Sequence, residues 1–191
     1  MNRATFYTAL KRSGIPGFTS LSQKQVDGIE GILNAFAIVG DGRIKTLAYG
    51  LATARREVGS GMSAVREGFK STDAAARYYV RNRAYGKVIN GHVYYGRGIV
   101  QLTWYQNYLK EGIAHSPDKA LEPIFAARLL FQGIMDGRWN ASGKGIAHYL
   151  PNEGPDDLYN ARRTVNVTDH WEEIKDYYHR FIQVIVEAGG V

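Results

Sequence analysis

At 191 residues the chain is long enough to bury one substantial core, and 45% hydrophobic with 22% charged residues is the balance of a globular domain, not of a disordered or membrane-embedded chain. With no cysteine, a disulfide framework, a zinc–thiolate centre and a cysteine nucleophile are all excluded. A net charge of +6 draws the protein to polyanions, but there is no run of five like charges, no recognition-helix pattern and no RNA-binding aromatic signature, so nucleic acid is not an expected partner.

The first residues, Met1 to Lys11, lack the apolar core of a secretory signal, and no stretch reaches the roughly 18 apolar residues that span a bilayer. The expectation is a protein first kept in the cytoplasm, without stable membrane insertion. Ser22 followed by Gln25 is a capping-box pattern, and Val26, Ile29, Leu33 and Phe36 then recur at helical spacing until Gly40-Asp41-Gly42. Ile44, Leu47, Ala48, Leu51 and Ala52 repeat that period in a second helix, which runs through Arg55 and Arg56 to Glu57 before Gly59 and Gly61 end it. Glu57 is therefore expected at a helix C-terminus.

A short helix is expected between Thr72 and Arg81. Asn90-Gly91 between β-favouring residues, Lys87 to Tyr95, then signals a hairpin. Pro123 suits a first helical turn, and Ile124, Ala127, Leu130, Phe131 and Ile134 mark a stripe up to Gly137 that reads as the central buried helix. Residues 139–167 read as long loops with at most a helical turn. Asp169 with Glu172 suggests a cap for a last amphipathic helix bearing Trp171, Ile174, Tyr178, Phe181, Ile182 and Ile185.

Two carboxylates, Glu57 and Glu67, punctuate one glycine-rich passage. Glycosidic hydrolysis needs one carboxylic acid to protonate the leaving oxygen and usually a second to activate water or attack the sugar. A helix C-terminus favours the protonated form of Glu57, whereas Arg55 and Arg56 nearby favour the ionised one. From Tyr94 to Tyr108 the chain mixes aromatic rings, amides, a hydroxyl and turn glycines, which suits stacking on sugar rings and hydrogen bonding to their hydroxyl and N-acetyl groups. The histidines at 92, 115, 148, 170 and 179 have no metal-ligand spacing, and Gly96-Arg97-Gly98 lacks the setting of a dinucleotide loop, so neither metal nor cofactor is expected.

The run Tyr94-Tyr95-Gly96-Arg97-Gly98-Ile99-Val100-Gln101-Leu102-Thr103-Trp104 resembles the signature of family 19 glycoside hydrolases, which include plant-type chitinases and phage endolysins. Leu51 to Glu57 resembles the helix that carries that family's catalytic acid, with Arg56 where the family commonly has histidine, and Ala161 to Asn166 resembles its later Arg-x-Ile-Asn segment. Leu21 to Ile29 resembles the opening of the phage and prophage branch. The resemblance implies Glu57 as general acid, Thr103 as holder of the attacking water, and Gln101 and Asn107 along the groove, with Arg163 and Asn166 as supporting polar groups. The phage-type Val-Arg-Glu pattern fits Glu67 as base, with Glu111, Glu122 and Glu153 as substitutes. Tyr94, Tyr95 and Trp104 complete the expected substrate-binding set.

The expected fold is mainly α: a lysozyme-like, two-lobed helical domain spanning residues 1–191, with one small β-hairpin in a lobe at about 85–104. The expected function, as the resemblance implies, is a monomeric peptidoglycan hydrolase of the endolysin type, held in the host cytoplasm until release to the cell wall. It would cut β-1,4 bonds by inversion, which requires carboxyl groups roughly 6.5 to 9.5 Å apart. A chitinase acting on a chitin-like polysaccharide and a non-catalytic glycan-binding protein are the alternatives.

Overall fold

A computed structural model describes residues 1–140 and 142–191, so the predicted loop stretch is seen except at Ala141. The architecture is mainly α-helical, with one small two-stranded antiparallel sheet among the described residues. The sequence did not announce helix α1 (Arg3–Arg12), which begins where the Asn2 side chain accepts the Thr5 amide and turns Phe6, Ala9 and Leu10 into the core. Helix α2 (Gln23–Val39) forms the expected capping box: the Ser22 side chain accepts the Gln25 backbone amide, and the Gln25 side-chain Oε1 accepts the Ser22 backbone amide at 2.9 Å.

Helix α3 (Ile44–Val58) is the centre of the molecule, a role the apolar stripe of residues 123–137 had suggested for a later helix. Thr46 through Ala54 are all buried, because small residues at 48, 50, 52 and 54 let neighbouring helices close on every side. Gly50 is the tightest point: a Cβ there would come within 2.4 Å of the Phe131 ring. Phe131 belongs to α6 (below), and it also meets Phe36 of α2 edge-on at 4.9 Å between centroids.

A two-residue strand, β1 (Val65–Arg66), follows, then helix α4 (Asp73–Val80), capped by Thr72 as expected. The Asn90-Gly91 turn forms, with positive φ at both residues and reciprocal bonds between Ile89 and His92, but no ladder extends from it. Instead β1 pairs with β2 (Arg97–Gly98), Val65 opposite Gly98 and Arg66 opposite Arg97. The chain leaves the turn because Tyr94 and Tyr95 are drawn into the interior, where an exposed hairpin could not place them. Ala76, Val80, Val93 and Tyr95 form a second, smaller buried cluster beside the main core.

Helix α5 (Tyr105–Lys110) leads to α6 (Pro123–Asp136), with proline in its first turn and Gly137 left-handed at its end. The predicted loops carry two helical turns, α7 (Ile146–Tyr149) and α8 (Leu158–Ala161), continued by a 3₁₀ turn over Arg162–Thr164. Helix α9 (Trp171–Glu187) packs mainly against α3 and also against α1, burying Ile174, Tyr177, Tyr178, Phe181, Val184 and Ile185. Asp169 does not cap it, since His170 occupies that position without a side-chain bond and Asp169 turns to Arg162 instead.

Packing at Gly50 makes a paired prediction. Gly50→Ala is to lower stability by about 1–3 kcal/mol through overpacking against Phe131. Gly31→Ala, in α2 with open space around its Cβ position, is to raise it by about 0.5–1 kcal/mol. Urea denaturation of both variants reads the contrast, and equal effects would contradict the packing described.

Candidate functional site

Glu57 and Glu67 line the same cleft of about 760 Å³, together with Gln101, Thr103, Trp104, Asn107, Arg163 and Asn166. Glu57 is presented by the last turn of α3, as its position before Gly59 implies. Its Oε1 accepts a bond from Arg162 Nη2 at 2.7 Å, and the Arg162 side chain is only 2% exposed. The guanidinium also donates from Nε to the Asp169 carbonyl at 3.1 Å. Arg55 and Arg56, adjacent in sequence, both turn away: Arg55 donates to the Pro16 carbonyl and lies over the Tyr177 ring, while Arg56 pairs with Glu173. The cation at Glu57 thus comes from 105 residues along the chain.

Behind Glu57, Tyr49 and Thr53 follow one another at four-residue intervals on the same face of α3. Both are fully buried, and among the described residues Arg162 Nη1 has no hydrogen-bond partner of normal geometry, while the Tyr49 hydroxyl lies close to the hydroxyls of Thr53 and Thr164. Burial drives the Tyr49 phenol well above its usual range, with Arg162 opposing.

Glu67 follows β1 directly. Its Oε1 accepts from the Tyr85 hydroxyl at 2.7 Å and its Oε2 from the Gly96 amide at 2.8 Å, while its own amide donates to the Gly96 carbonyl at 2.8 Å. Glycine at 96 leaves room for this approach: a Cβ would sit 3.3 Å from Glu67 Oε2 and 2.8 Å from Gln101 Oε1, so both side chains would have to shift. Burial and the Glu67 bond push the Tyr85 phenol up to about 12.

The turn from Val100 to Trp104 lines the same cleft. Gln101 and Trp104 both hold positive φ, at 52° and 74°, a strained backbone for side-chain-bearing residues. Gln101 Nε2 donates to the Val65 and Gly98 carbonyls, Thr103 Oγ1 donates to the Gln101 carbonyl at 2.8 Å, and Asn107 Nδ2 donates to the Thr103 carbonyl at 2.9 Å. Gln101 thus spends both N–H donors on the backbone and Asn107 one of its two, and each keeps its side-chain carbonyl oxygen available to a ligand. The Trp104 ring is 51% exposed and meets Tyr85 edge-on at 5.3 Å.

Tyr94 and Tyr95, expected to bind substrate, do not reach the cleft. Both are buried; Tyr94 donates to the Ala114 carbonyl and Tyr95 to Asp73, each at 2.8 Å. They support the turn from beneath, around Arg97, whose buried guanidinium stacks 3.5 Å from the Tyr95 ring centre and pairs with Asp73 and Asp118. The aromatic pattern read correctly as ring-rich, but sugar-facing and core-facing rings are compositionally alike. Of the alternative carboxylates, Glu111 is committed to Arg138 and Trp139, and Glu122 and Glu153 are exposed; none of the three lines this cleft.

Arg162, Tyr85 and Trp139 are the site groups that sequence reasoning missed. Arg163, implied by the resemblance, lines the cleft but is exposed and bonded to Asn160, while its neighbour Arg162 enters the core. Asn166 lies exposed at the rim, its Oδ1 accepting the Val167 amide.

No family model matches the sequence, and no curated protein matches it. Among solved structures the chain is similar to chitinase C from Streptomyces griseus HUT6037, at 16% identity and a TM-score of 0.49, over 100% of this chain and 77% of that one.

The phenols give a pH prediction. Tyr85 and Tyr95 are pushed up to about 12, each chiefly by burial, and Tyr49, Tyr108 and Tyr178 are driven higher still by burial. Above an unfolded value near 10 the unfolded chain releases protons that the folded chain retains, so stability is intact below pH 10 and falls as pH rises toward 12 and beyond. The phenolate absorbance of these five rings is therefore to appear together with loss of helical circular dichroism. Full titration near pH 10 with the helices intact would contradict the burial of these rings.

Proposed function

We propose that the cleft is the active site of a glycan-strand hydrolase acting on the β-1,4 bonds of bacterial peptidoglycan. The observation that carries this is the delivery of two carboxyl groups, from α3 and from the segment after β1, into one cleft, each held by its own buried or half-buried partner. In this reading a proton taken up on Glu57 Oε2, the oxygen that Arg162 does not bond, passes to the glycosidic oxygen, and Arg162 stabilises the carboxylate left behind. Glu67 takes a proton from a water that attacks the anomeric carbon. Thr103 has donated its own proton to the Gln101 carbonyl, so its lone pairs accept from that water and orient it.

The free carbonyl oxygens of Gln101 and Asn107 are suited to N–H and O–H groups of an amino sugar, and the exposed Trp104 ring to a sugar face. The resemblance of Tyr94–Trp104 to the family 19 signature agrees with this assignment. Peptidoglycan is preferred to chitin because a net charge of +6 favours the anionic envelope around the wall polymer. An endolysin held in the host cytoplasm until release is the setting this implies.

Glu57→Gln and Glu67→Gln are each to cut the release of reducing sugars from purified peptidoglycan by about 10²-fold or more, with wall binding retained. Gly96→Ala is to lower turnover with little loss of stability, because the methyl displaces Glu67 and Gln101. Wild-type activity in Glu57→Gln would sink the enzyme reading and leave a glycan-binding protein; wild-type activity on colloidal chitin alone would overturn the choice of substrate.

A further inference from the structure

Between Phe69 and His92 the chain carries five basic residues, Lys70, Arg77, Arg81, Arg83 and Lys87, against one acidic residue, Asp73, so this short segment holds +4 of the net +6. Asp73 is drawn inward, bonded to the Tyr95 hydroxyl and to Arg97 as well as to Arg77, and burial is outweighed by those partners in holding its carboxyl below the usual range. The same segment exposes large apolar side chains: Phe69 and Tyr78 at 66% each, Val88 at 64%, and Tyr79 and Ile89. None of these five lines the cleft.

Their placement follows from α4. Ala76 and Val80 face the small core, which at about 100° per residue puts Tyr78 at the outward pole, with Tyr79 on one flank and Arg77 on the other. The Tyr79 ring lies under Lys70 Nζ at 5.0 Å and against Gly68, so the Phe69 loop adjoins that flank. Arg77 Nη2 donates to the Gly91 carbonyl at 3.3 Å, so the Val88–Gly91 turn adjoins the other. Arg81 stacks 3.8 Å from the Tyr78 ring centre. Loop, helix and turn therefore form one outward ridge with apolar tips and cationic sides.

We propose that this ridge is a peripheral docking surface for an anionic phospholipid bilayer. Aromatic and aliphatic tips enter the interface between headgroups and acyl chains, while the flanking cations meet the phosphates. An outward ridge suits a broad, yielding surface rather than a single polymer chain, and a hydrated polyanion gains nothing from Phe69, Val88 or Ile89. With eight residues in α4, contact is shallow and does not span the membrane. Its five apolar tips lie outside the cleft lining, and the proposal does not depend on the proposed hydrolysis.

The test is sedimentation of the full chain with phosphatidylcholine vesicles, with and without phosphatidylglycerol. Binding is expected only with the anionic lipid and is to weaken with salt. Lys70→Gln and Arg81→Gln are each to weaken it about fivefold, Phe69→Ser and Ile89→Ser are to weaken it as well, and Lys24→Gln on α2 is to leave it unchanged. Glu57→Gln retains vesicle binding while hydrolysis is lost, so the two readings fail separately. Equal binding to both vesicle types, no binding to either, or binding indifferent to Phe69→Ser and Ile89→Ser would overturn the proposal, the last by reducing the ridge to a charge that any polyanion, such as polyglycerol phosphate, satisfies.

Discussion

A guanidinium that is 2% exposed must be paired, and the Arg162–Glu57 bond at 2.7 Å is where that requirement meets the cleft. Removing an ionic group from water costs several kcal/mol, and here the cost is offset by a carboxylate at the mouth of the site and a backbone carbonyl at Asp169. The pairing ties the end of the most buried helix, α3, to the 3₁₀ turn near the last helix. It also fixes which way Glu57 points. A glutamate at a helix terminus is ordinarily free to turn to solvent; this one is held where a ligand in the cleft meets it.

The opposite side of the cleft is framed by a second buried arginine. Arg97 is held by Asp73, Asp118, the Val93 carbonyl and the ring of Tyr95, and the segment it organises carries Gly96, Gln101 and Thr103. Rigidity there is what allows Gln101 and Trp104 to keep left-handed backbones, a strain that surrounding structure has to impose. Glu67 is joined to the same segment through both bonds to Gly96. Each carboxylate thus depends on an interior arginine, one directly and one through the backbone.

Much of this was legible in the sequence because it is written in local chemistry. The Ser22–Gln25 box, Pro123 at a helix start, Gly137 at its end and the position of Glu57 before Gly59 are short-range signals, and the helices bounded by them appear where expected. What escaped was decided at long range. Which of Arg162 and Arg163 enters the core depends on the face that α8 and its 3₁₀ turn present to α3. The Asn90-Gly91 turn was correct locally, yet the strand partner of Arg97 lies back at Arg66. Tyr94 and Tyr95 failed as groove residues because burial around Arg97 outbid exposure at the surface. Helix α3 was underrated as the centre because alanine, glycine and threonine weigh little in an apolar stripe although they permit the closest packing.

If two carboxylic groups act across one bond with water entering opposite the leaving oxygen, the stereochemistry at the cut carbon must reverse. Proton NMR of the freshly formed reducing end, recorded during digestion of a soluble β-1,4 peptidoglycan fragment, reads this directly. The α-anomer is the result expected. An initial β-anomer would make one carboxylate a nucleophile and contradict the roles given to Glu67 and Thr103, while an intact fragment would contradict hydrolysis at this cleft.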